Sequence, residues 1–172
     1  ELTMGSSGSG SGGHLAAELM SAMAGIKWVH VPYKGGGPSL VDLLAGQIQV
    51  LFATVLSSAQ HVKSGRIRAL AVSTAKRCAS LPDLPTISEA ALPGYDSGVW
   101  YGLLAPAGTP RDIVTRLNAE IVRVLNDAQF RDMLVSSAID PIGSSPEELG
   151  KYIKSETVKW AKVVKDAGVH VE

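Results

Sequence analysis

The stretch Met4-Gly5-Ser6-Ser7-Gly8-Ser9-Gly10-Ser11-Gly12-Gly13-His14 decides the fold and the candidate function of this 172-residue chain. It follows an extended lead over residues 1–3 and runs directly into a helical pattern that starts at Leu15. Because glycine has no Cβ, its backbone N–H groups can approach a ligand closely, and serine hydroxyls add hydrogen-bonding groups. The positive end of the following helix favours an anion. The stretch therefore predicts a cradle for a carboxylate or a phosphate, although its composition alone is more typical of a flexible linker or an engineered tail.

A second glycine-rich loop, Tyr33-Lys34-Gly35-Gly36-Gly37-Pro38-Ser39, repeats this arrangement. Residues 27–33 are rich in β-branched and aromatic side chains and predict a strand, and Pro38 is a good first residue for the helix behind the loop. Ligands of open α/β sheets bind at the carboxyl ends of strands, beside helix N-termini. Two such loops close together in the chain predict a ligand site, while the local chemistry of the second also fits a tight strand-to-helix turn.

Short apolar strands alternate with helices through the first half of the chain. Residues 47–54 and 66–74 predict strands, and residues 56–64 predict a helix that Gly65 closes. The helix behind the first loop is predicted to end at Gly25 and to bury one apolar face, made of Leu15, Leu19, Met20 and Met23. This alternation predicts an α/β protein with a mainly parallel sheet covered on both faces.

Residues 75–98 differ in composition from the residues before them: they are rich in proline and contain one capping box, Thr86-Ile87-Ser88-Glu89. A connection of this length in a compact protein usually has a structural or functional role, and it predicts a crossing between two lobes. Residues 99–106 then predict another strand. The helix-rich remainder has predicted N-caps at Thr109, Asp127 and Ser145.

The composition excludes several classes of function. Lys and Arg equal Asp and Glu at 16 each, so the net charge is zero and no nucleic-acid partner is predicted. Cys78 is the single cysteine, which excludes an internal disulfide and a cysteine-rich metal site. The apolar runs are shorter than a membrane span, and no signal peptide is visible at Glu1. No metal is predicted, because the four histidines lack metal-ligand spacing: His14, His30, His61 and His170.

An enzyme of acyl or phosphoryl transfer is the rival interpretation of the first loop. Ser6 or Ser7 beside His14 can be arranged as a nucleophile and its base, but no third orienting group and no Gly-x-Ser-x-Gly elbow accompany them. The Gly-Lys-Ser/Thr ending of a phosphate-binding P-loop is missing as well. The sequence therefore predicts no catalytic residue and no cofactor.

The following motifs occur together along the chain: Gly5-Ser6-Ser7-Gly8-Ser9-Gly10-Ser11, His14-Leu15-Ala16, His30-Val31-Pro32-Tyr33-Lys34-Gly35-Gly36-Gly37-Pro38, Arg68-Ala69-Leu70-Ala71-Val72-Ser73, Leu81-Pro82-Asp83-Leu84-Pro85-Thr86, Gly102-Leu103-Leu104-Ala105-Pro106-Ala107-Gly108-Thr109-Pro110, and Trp160-Ala161-Lys162-Val163-Val164-Lys165-Asp166-Ala167-Gly168. In these motifs the chain resembles the Bug/TctC family, the extracytoplasmic solute receptors of tripartite tricarboxylate transport systems. The resemblance spans essentially the whole chain.

The resemblance implies a type II periplasmic-binding-protein-like α/β fold, with two lobes that close on a small carboxylate, here lacking the N-terminal part of lobe one. It implies that residues 1–74 are most of lobe two, 75–98 the inter-lobe connection and 99–172 the returning C-terminal part of lobe one. The ligand-binding residues that it implies are Ser6, Ser7, Gly8, Ser9, Ser11, Lys34, Gly35, Gly36, Ala53 and Thr54. The last two stand where the family often has an acidic or amide residue, so the identity of the carboxylate stays open.

The function that the resemblance implies is capture of a small organic acid or amino acid in the periplasm for the membrane permease subunits of a tripartite tricarboxylate-type transporter. A ligand-sensing module of the same fold, which passes occupancy to a signalling partner, is the alternative. The C-terminal half would expose an apolar face without the strands it normally packs on. We therefore expect a homodimer, a swapped assembly or a retained N-terminal fragment.

Overall fold

Three short strands form a parallel sheet at the start of the chain: β1 (Thr3–Ser6), β2 (Val29–Pro32) and β3 (Val50–Leu51). The structure, a computed structural model, describes residues 1–169. The strand order is β2-β1-β3, so β1 is central, and Gly5 pairs with Val31 on one side and Leu51 on the other. The side chains of Met4 and Ser6 are fully buried. The predicted parallel sheet is confirmed.

Each of these strands passes directly into a helix: α1 (Gly12–Ala24), α2 (Gly36–Leu44) and α3 (Val55–Lys63). The predicted end of α1 is confirmed, because Gly25 caps it in the left-handed region with φ 66°. The prediction that Pro38 is the first residue of α2 is wrong by two residues, since the helix begins at Gly36. The N–H groups of a first helical turn have no intrahelical partner, so a proline is tolerated at the third position as well as at the first.

The buried face of α1 differs from the predicted one. His14, Ala16 and Ala17 are buried, whereas Met23 is exposed and the predicted leucines are only partly covered. Small side chains allow α1 to approach its neighbours closely, and two of its carbonyls accept bonds from aromatic side chains outside the helix. Trp28 Nε1 donates to Ala17 O at 3.3 Å, and Tyr95 Oη donates to Ala16 O at 2.8 Å. Burial raises the pKa of Tyr95 to about 12.

Two predicted strands are absent from the part of the chain that the structure describes. Residues 66–74 contribute only one parallel bridge, between Val72 and Thr86. Residues 99–106 form no strand, and Tyr101, Leu103 and Leu104 within them are exposed. A β-branched or apolar run becomes a strand only where another strand completes its hydrogen bonds, and none does so here beyond the single bridge.

The connection at residues 75–98 holds the predicted capping box. It opens the short helix α4 (Ile87–Ala90). Glu89 N donates to Thr86 Oγ1 and Thr86 N donates to Glu89 Oε2, both at 3.0 Å. The bond from the Thr86 backbone, together with one from Arg77, lowers the pKa of the Glu89 carboxyl. The capping prediction is confirmed.

The chain divides into two compact units, residues 1–99 with the C-terminal segment from Trp160, and residues 100–159. Three helices complete the fold: α5 (Arg111–Leu125), α6 (Ala128–Ser136) and α7 (Pro146–Ala167). Asp127 caps α6 as predicted, by accepting from Phe130 N at 3.0 Å. This division shows which residues pack together, and it does not identify the lobes. The lobe assignments of residues 1–74, 75–98 and 99–172 therefore stay predictions.

The remaining two predicted caps have opposite outcomes. Ser145 forms a capping box with Glu148, whose backbone N–H it accepts at 3.2 Å and whose carboxylate accepts the Ser145 N–H at 2.8 Å. The predicted cap at Thr109 is wrong, because Thr109 Oγ1 donates to Pro106 O and α5 starts behind Pro110 without a side-chain cap. The hydroxyl closes the turn that precedes the helix instead. Within residues 1–169, no helix is long and apolar enough to cross a membrane.

We expect Gly13→Ala to lower the melting temperature. A Cβ at residue 13 would lie 2.8 Å from the backbone oxygen of Phe52, so the start of α1 would have to move away from the end of β3. Such an overlap with backbone is expected to destabilise the fold by about 1–3 kcal/mol. Gly37→Ala is the matched control, because nothing lies within 4 Å of a Cβ there and its φ is not positive. The control should be neutral or more stable by up to about 1 kcal/mol. Equal melting temperatures for the two variants would contradict this account of the packing.

Candidate functional site

The candidate site is the edge of the sheet at which the carboxyl ends of β1, β2 and β3 meet. Because the strands are parallel and adjacent, the three strand-to-helix turns lie side by side at this edge. The structure places nine of the ten predicted site residues in these turns or at the helix starts that follow them, and the tenth, Ser6, is the last residue of β1. The nine are Ser7, Gly8, Ser9 and Ser11 after β1, Lys34, Gly35 and Gly36 after β2, and Ala53 and Thr54 after β3.

The loop between β1 and α1, residues 7–11, is here called the cradle loop. Ser6 at its base is the last residue of β1, and its Oγ contacts both backbone groups of Gly8: it accepts from Gly8 N at 3.2 Å and lies 3.0 Å from Gly8 O. Gly8 has φ 135°, a conformation that a residue with a side chain rarely adopts. Ser6 therefore fixes the shape of the loop, and its side chain is fully buried.

The far end of the cradle loop is held by the cap of α1. Ser11 Oγ accepts from His14 N at 3.4 Å, and Ser11 N donates to Gly8 O at 3.1 Å. The loop is also joined to the turn after β2, because Gly35 N donates to Ser7 O at 3.1 Å. The two glycine-rich loops of the sequence thus form one continuous surface.

The outward surface of this edge is made of backbone N–H groups and two hydroxyls. Ser7 and Ser9 are exposed. Across residues 1–169, the N–H groups of Ser9, Gly12 and Gly13 make no protein hydrogen bond. Unpaired N–H groups at the positive end of a helix are the usual binding groups for a carboxylate or phosphate.

The starts of α2 and α3 add to the same edge. Gly35 is the N-cap of α2 and makes no side-chain cap bond, whereas Thr54 caps α3 by accepting from Ser57 N at 3.4 Å. Lys34 and Ala53 are exposed beside them. The ammonium of Lys34 is a cation next to these helix starts, and it favours an anion there.

The end of β2 is fixed by Tyr33. Its Oη donates to Asp42 Oδ2 on α2 at 2.7 Å, and this bond is the main reason that the pKa of the Tyr33 hydroxyl is raised. The Tyr33 ring also lies against Gly5 of β1, where a Cβ would meet it at 3.3 Å. Tyr33 therefore joins β1, β2 and α2 directly below the turn that carries Lys34.

Two histidines lie stacked below the cradle loop, a feature that the sequence analysis missed. The rings of His14 and His30 are 3.8 Å apart between centroids and inclined by 9°. His30 Nε2 lies 2.7 Å from Ser6 Oγ, and His14 Nδ1 accepts from Gly10 N at 3.0 Å. The register in which β1 and β2 pair brings residue 30 next to the start of α1.

The serine–histidine contact that the structure contains is not the one considered from the sequence. Ser6 pairs with His30, not with His14, and the side chain of Ser6 has no exposed surface. A nucleophile must reach its substrate, so the buried Ser6 hydroxyl is unsuited to attack one. Within residues 1–169, no group of three His, Cys, Asp or Glu side chains is placed to hold a metal ion.

Comparisons with known proteins identify a family for this chain. Residues 1–169 match the family described as tripartite tricarboxylate transporter family receptor. A UPF0065 protein from the tcbD–tcbE intergenic region of a Pseudomonas species is 41% identical over 165 residues, which are 95% of this chain and 49% of that protein. The chain thus spans about half the length of this curated relative.

Solved structures of similar proteins have the same α/β fold, that of periplasmic solute-binding proteins. R. palustris Rpa4515 with adipate superimposes with a TM-score of 0.87 at 40% identity, covering 98% of this chain and 56% of that one. MatC from Rhodopseudomonas palustris with bound malate gives a TM-score of 0.73 at 29% identity, covering 95% of this chain and 56% of that one. The predicted resemblance and fold class are confirmed.

We expect the stability of the chain to fall on acidification, in part through His30. Burial, and then the neighbouring His14, lowers the pKa of His30, so the folded state prefers its neutral ring. The unfolded chain takes up this proton first as the pH falls. The contribution of neutral His30 to the free energy of unfolding is therefore complete above the ordinary histidine pKa of about 6.5 and is lost as the pH drops below it.

His30→Gln is the test, because its amide retains a polar group near Ser6 Oγ but does not titrate. Melting temperatures between about pH 8 and about pH 5 should fall less steeply for the variant than for the wild type. A decline of the same slope in both proteins would show that His30 makes no such contribution.

Proposed function

The chain belongs to the tripartite tricarboxylate transporter receptor family, and from this premise we propose that it is a solute-binding protein that holds a small organic carboxylate at the cradle loop. One observation supports this most directly: unpaired N–H groups at the start of α1 lie beside the starts of α2 and α3 at one sheet edge. A carboxylate brings the charge and the acceptor oxygens that this edge lacks.

The energetics favour an ionised ligand over a neutral one. A hydrogen bond to a charged group contributes about 1.5–3 kcal/mol, and a neutral bond about half as much. Three N–H donors therefore distinguish a carboxylate from its neutral amide by roughly two to three decades of affinity. The exposed ammonium of Lys34 acts in the same direction, with an effect that salt screens.

We propose small aliphatic mono- and dicarboxylates, or amino acids, as the class of ligand. The support is that solved relatives contain adipate in one case and malate in another. The work of such a receptor is binding without chemistry, in keeping with the burial of Ser6. We propose that it acts in the periplasm and hands its ligand to the membrane subunits of a tripartite transporter.

We also propose that the chain associates with a second polypeptide through residues 100–106. This extended segment exposes Tyr101, Leu103 and Leu104 by 89%, 74% and 78%. Consecutive exposed apolar side chains on a segment with unpaired backbone groups are typical of a surface that another chain covers. We propose that the occupant is a second copy of this chain.

We expect adipate to bind the wild-type chain and Ser9→Asp to weaken it. Residue 9 is exposed on the cradle loop, so an aspartate there places a negative charge beside the bound carboxylate. Ser9→Asn is the matched control, since it has the same size without the charge. Isothermal titration with adipate and malate should show a loss of about tenfold or more for the aspartate variant, which equals about 1.4 kcal/mol. The asparagine variant should stay within about threefold of the wild type.

The neutral diamide of adipic acid serves as the ligand control. It should bind at least about a hundredfold more weakly than adipate, because it cannot form charge-assisted bonds. If Ser9→Asp and Ser9→Asn bind alike, the cradle loop does not hold the carboxylate. If the diamide binds as well as adipate, the site does not select an anion.

We expect native mass spectrometry of the purified chain to show a complex larger than the monomer. Replacing Leu103 and Leu104 together by serine should shift it to the monomer and leave the melting temperature of the monomeric fold nearly unchanged, since both side chains are exposed. Val158→Ser is the control, because Val158 is 73% exposed on α7, outside the segment. A wild-type chain that is monomeric at micromolar concentration would contradict the proposed association.

A further inference from the structure

We propose that His14 and His30 are positioning residues of the carboxylate site: as a neutral stacked pair they hold the cradle loop in its binding shape, and protonation of His14 releases it. The consequence for ligand affinity rests on the function proposed above. The hold on the loop itself does not, since it is a property of the chain without ligand.

His30 fixes the first half of the loop through Ser6. Its Nε2 lies 2.7 Å from Ser6 Oγ, and the same oxygen clips the N–H and the carbonyl of Gly8. Gly8 O in turn accepts from Ser11 N. A chain of three contacts therefore runs from the imidazole on β2 to the cap of α1, and each contact orients the next one.

His14 fixes the second half of the loop directly. Gly10 N donates to its Nδ1 at 3.0 Å, so that nitrogen carries a lone pair and the ring proton lies on Nε2. A proton added at Nδ1 turns the acceptor into a donor that faces another donor. The hydrogen bond from Gly10 N is then lost, and this part of the cradle loop is no longer attached to α1.

The stack couples the two rings. Their centroids are 3.8 Å apart and the side chain of His14 is almost fully buried, so a shift of one ring displaces the other. Two positive charges at this distance repel each other, so a proton on one ring disfavours a proton on the other. Burial of His30 and its contact with His14 lower the pKa of His30, in keeping with a pair that is neutral when the loop is held.

Among residues 1–169, Glu18 is the charged residue that contacts the pair. On α1, Glu18 Oε1 lies 3.5 Å from His14 Nε2 and faces the side of the ring away from Gly10. At the end of β2 and on α2, Tyr33 and Asp42 are bonded to each other. From β1 the pair meets the hydroxyl of Ser6, which does not titrate. The Glu18 carboxylate therefore attracts a protonated His14, and it does so from the side of the ring that faces away from the cradle loop.

Amide isosteres separate positioning from mere packing. Asparagine at residue 14 puts its amide oxygen near the position of Nδ1 and keeps an acceptor for Gly10, whereas glutamine at the same residue puts it near Nε2 and does not. For His30, whose bond is made by Nε2, the order is reversed. We therefore expect His14→Asn and His30→Gln to keep the cradle loop in its shape. His14→Gln and His30→Asn should release it, although asparagine and glutamine differ by only one methylene group.

The experiment is nuclear magnetic resonance on the chain without ligand, followed by titration with adipate. Spectra are recorded between about pH 8 and about pH 6. In the wild type, the imidazole nitrogens of His14 should report a proton on Nε2 alone wherever the Gly10 amide is bonded to Nδ1, and the Gly10 amide shift should change together with any proton that appears on Nδ1. Hydrogen exchange of the Gly10 amide should be about tenfold faster in His14→Gln than in His14→Asn. Adipate affinity should fall about tenfold over the same pH range in the wild type and stay flat in His14→Asn.

Gly10 exchange that is equal in His14→Asn and His14→Gln would overturn the inference, whatever the ligand does. Affinity that rises on acidification would overturn it too, because the added charge would then be attracting the anion rather than releasing the loop. If the Gly10 amide behaves as expected but neither adipate nor malate binds at about pH 8, the positioning role stands and the proposed function fails.

Discussion

The first N–H groups of a helix have no carbonyl to bond within that helix, and in this chain three such helix starts lie side by side. Each follows a strand of a parallel sheet, so their positive ends share one edge. This arrangement depends on short loops between strand and helix. It also depends on glycines that let α1 begin against the end of β3 and on small residues on the buried face of α1. A fold built in this way keeps unsatisfied donors at its surface, and these are the donors that we propose a carboxylate to satisfy.

The sequence predicted well those features that depend on neighbours within a few residues. The capping boxes at Thr86 and Ser145, the cap at Asp127 and the glycine at the end of α1 are local bonds, and all are present. The parallel sheet and the position of the two glycine-rich loops followed from the alternation of strands and helices. The predicted cap at Thr109 is wrong because the Thr109 hydroxyl donates to Pro106 O instead of accepting from an N–H group of the helix.

The features that the sequence did not predict depend on partners far along the chain. A run such as residues 99–106 has the composition of a strand, but a strand also needs a neighbour, and composition does not supply one. The histidine pair is similar: residues 14 and 30 have no regular spacing, and only the register of β1 against β2 brings their rings together. The buried face of α1 was mistaken because alanines carry little hydrophobic signal, although they allow the closest packing.

The serines of the first loop divide into two kinds, and this division bears on how such a protein changes over generations. The hydroxyls of Ser6 and Ser11 bond within the loop itself, whereas Ser7 and Ser9 are exposed. A replacement of either inward residue disturbs the scaffold and is removed by selection for a folded protein. We expect a replacement of either exposed serine to leave the bonds within the loop intact. Within this single run of glycine and serine, the two inward serines thus flank the two exposed ones, and the exposed positions can vary without cost to the loop.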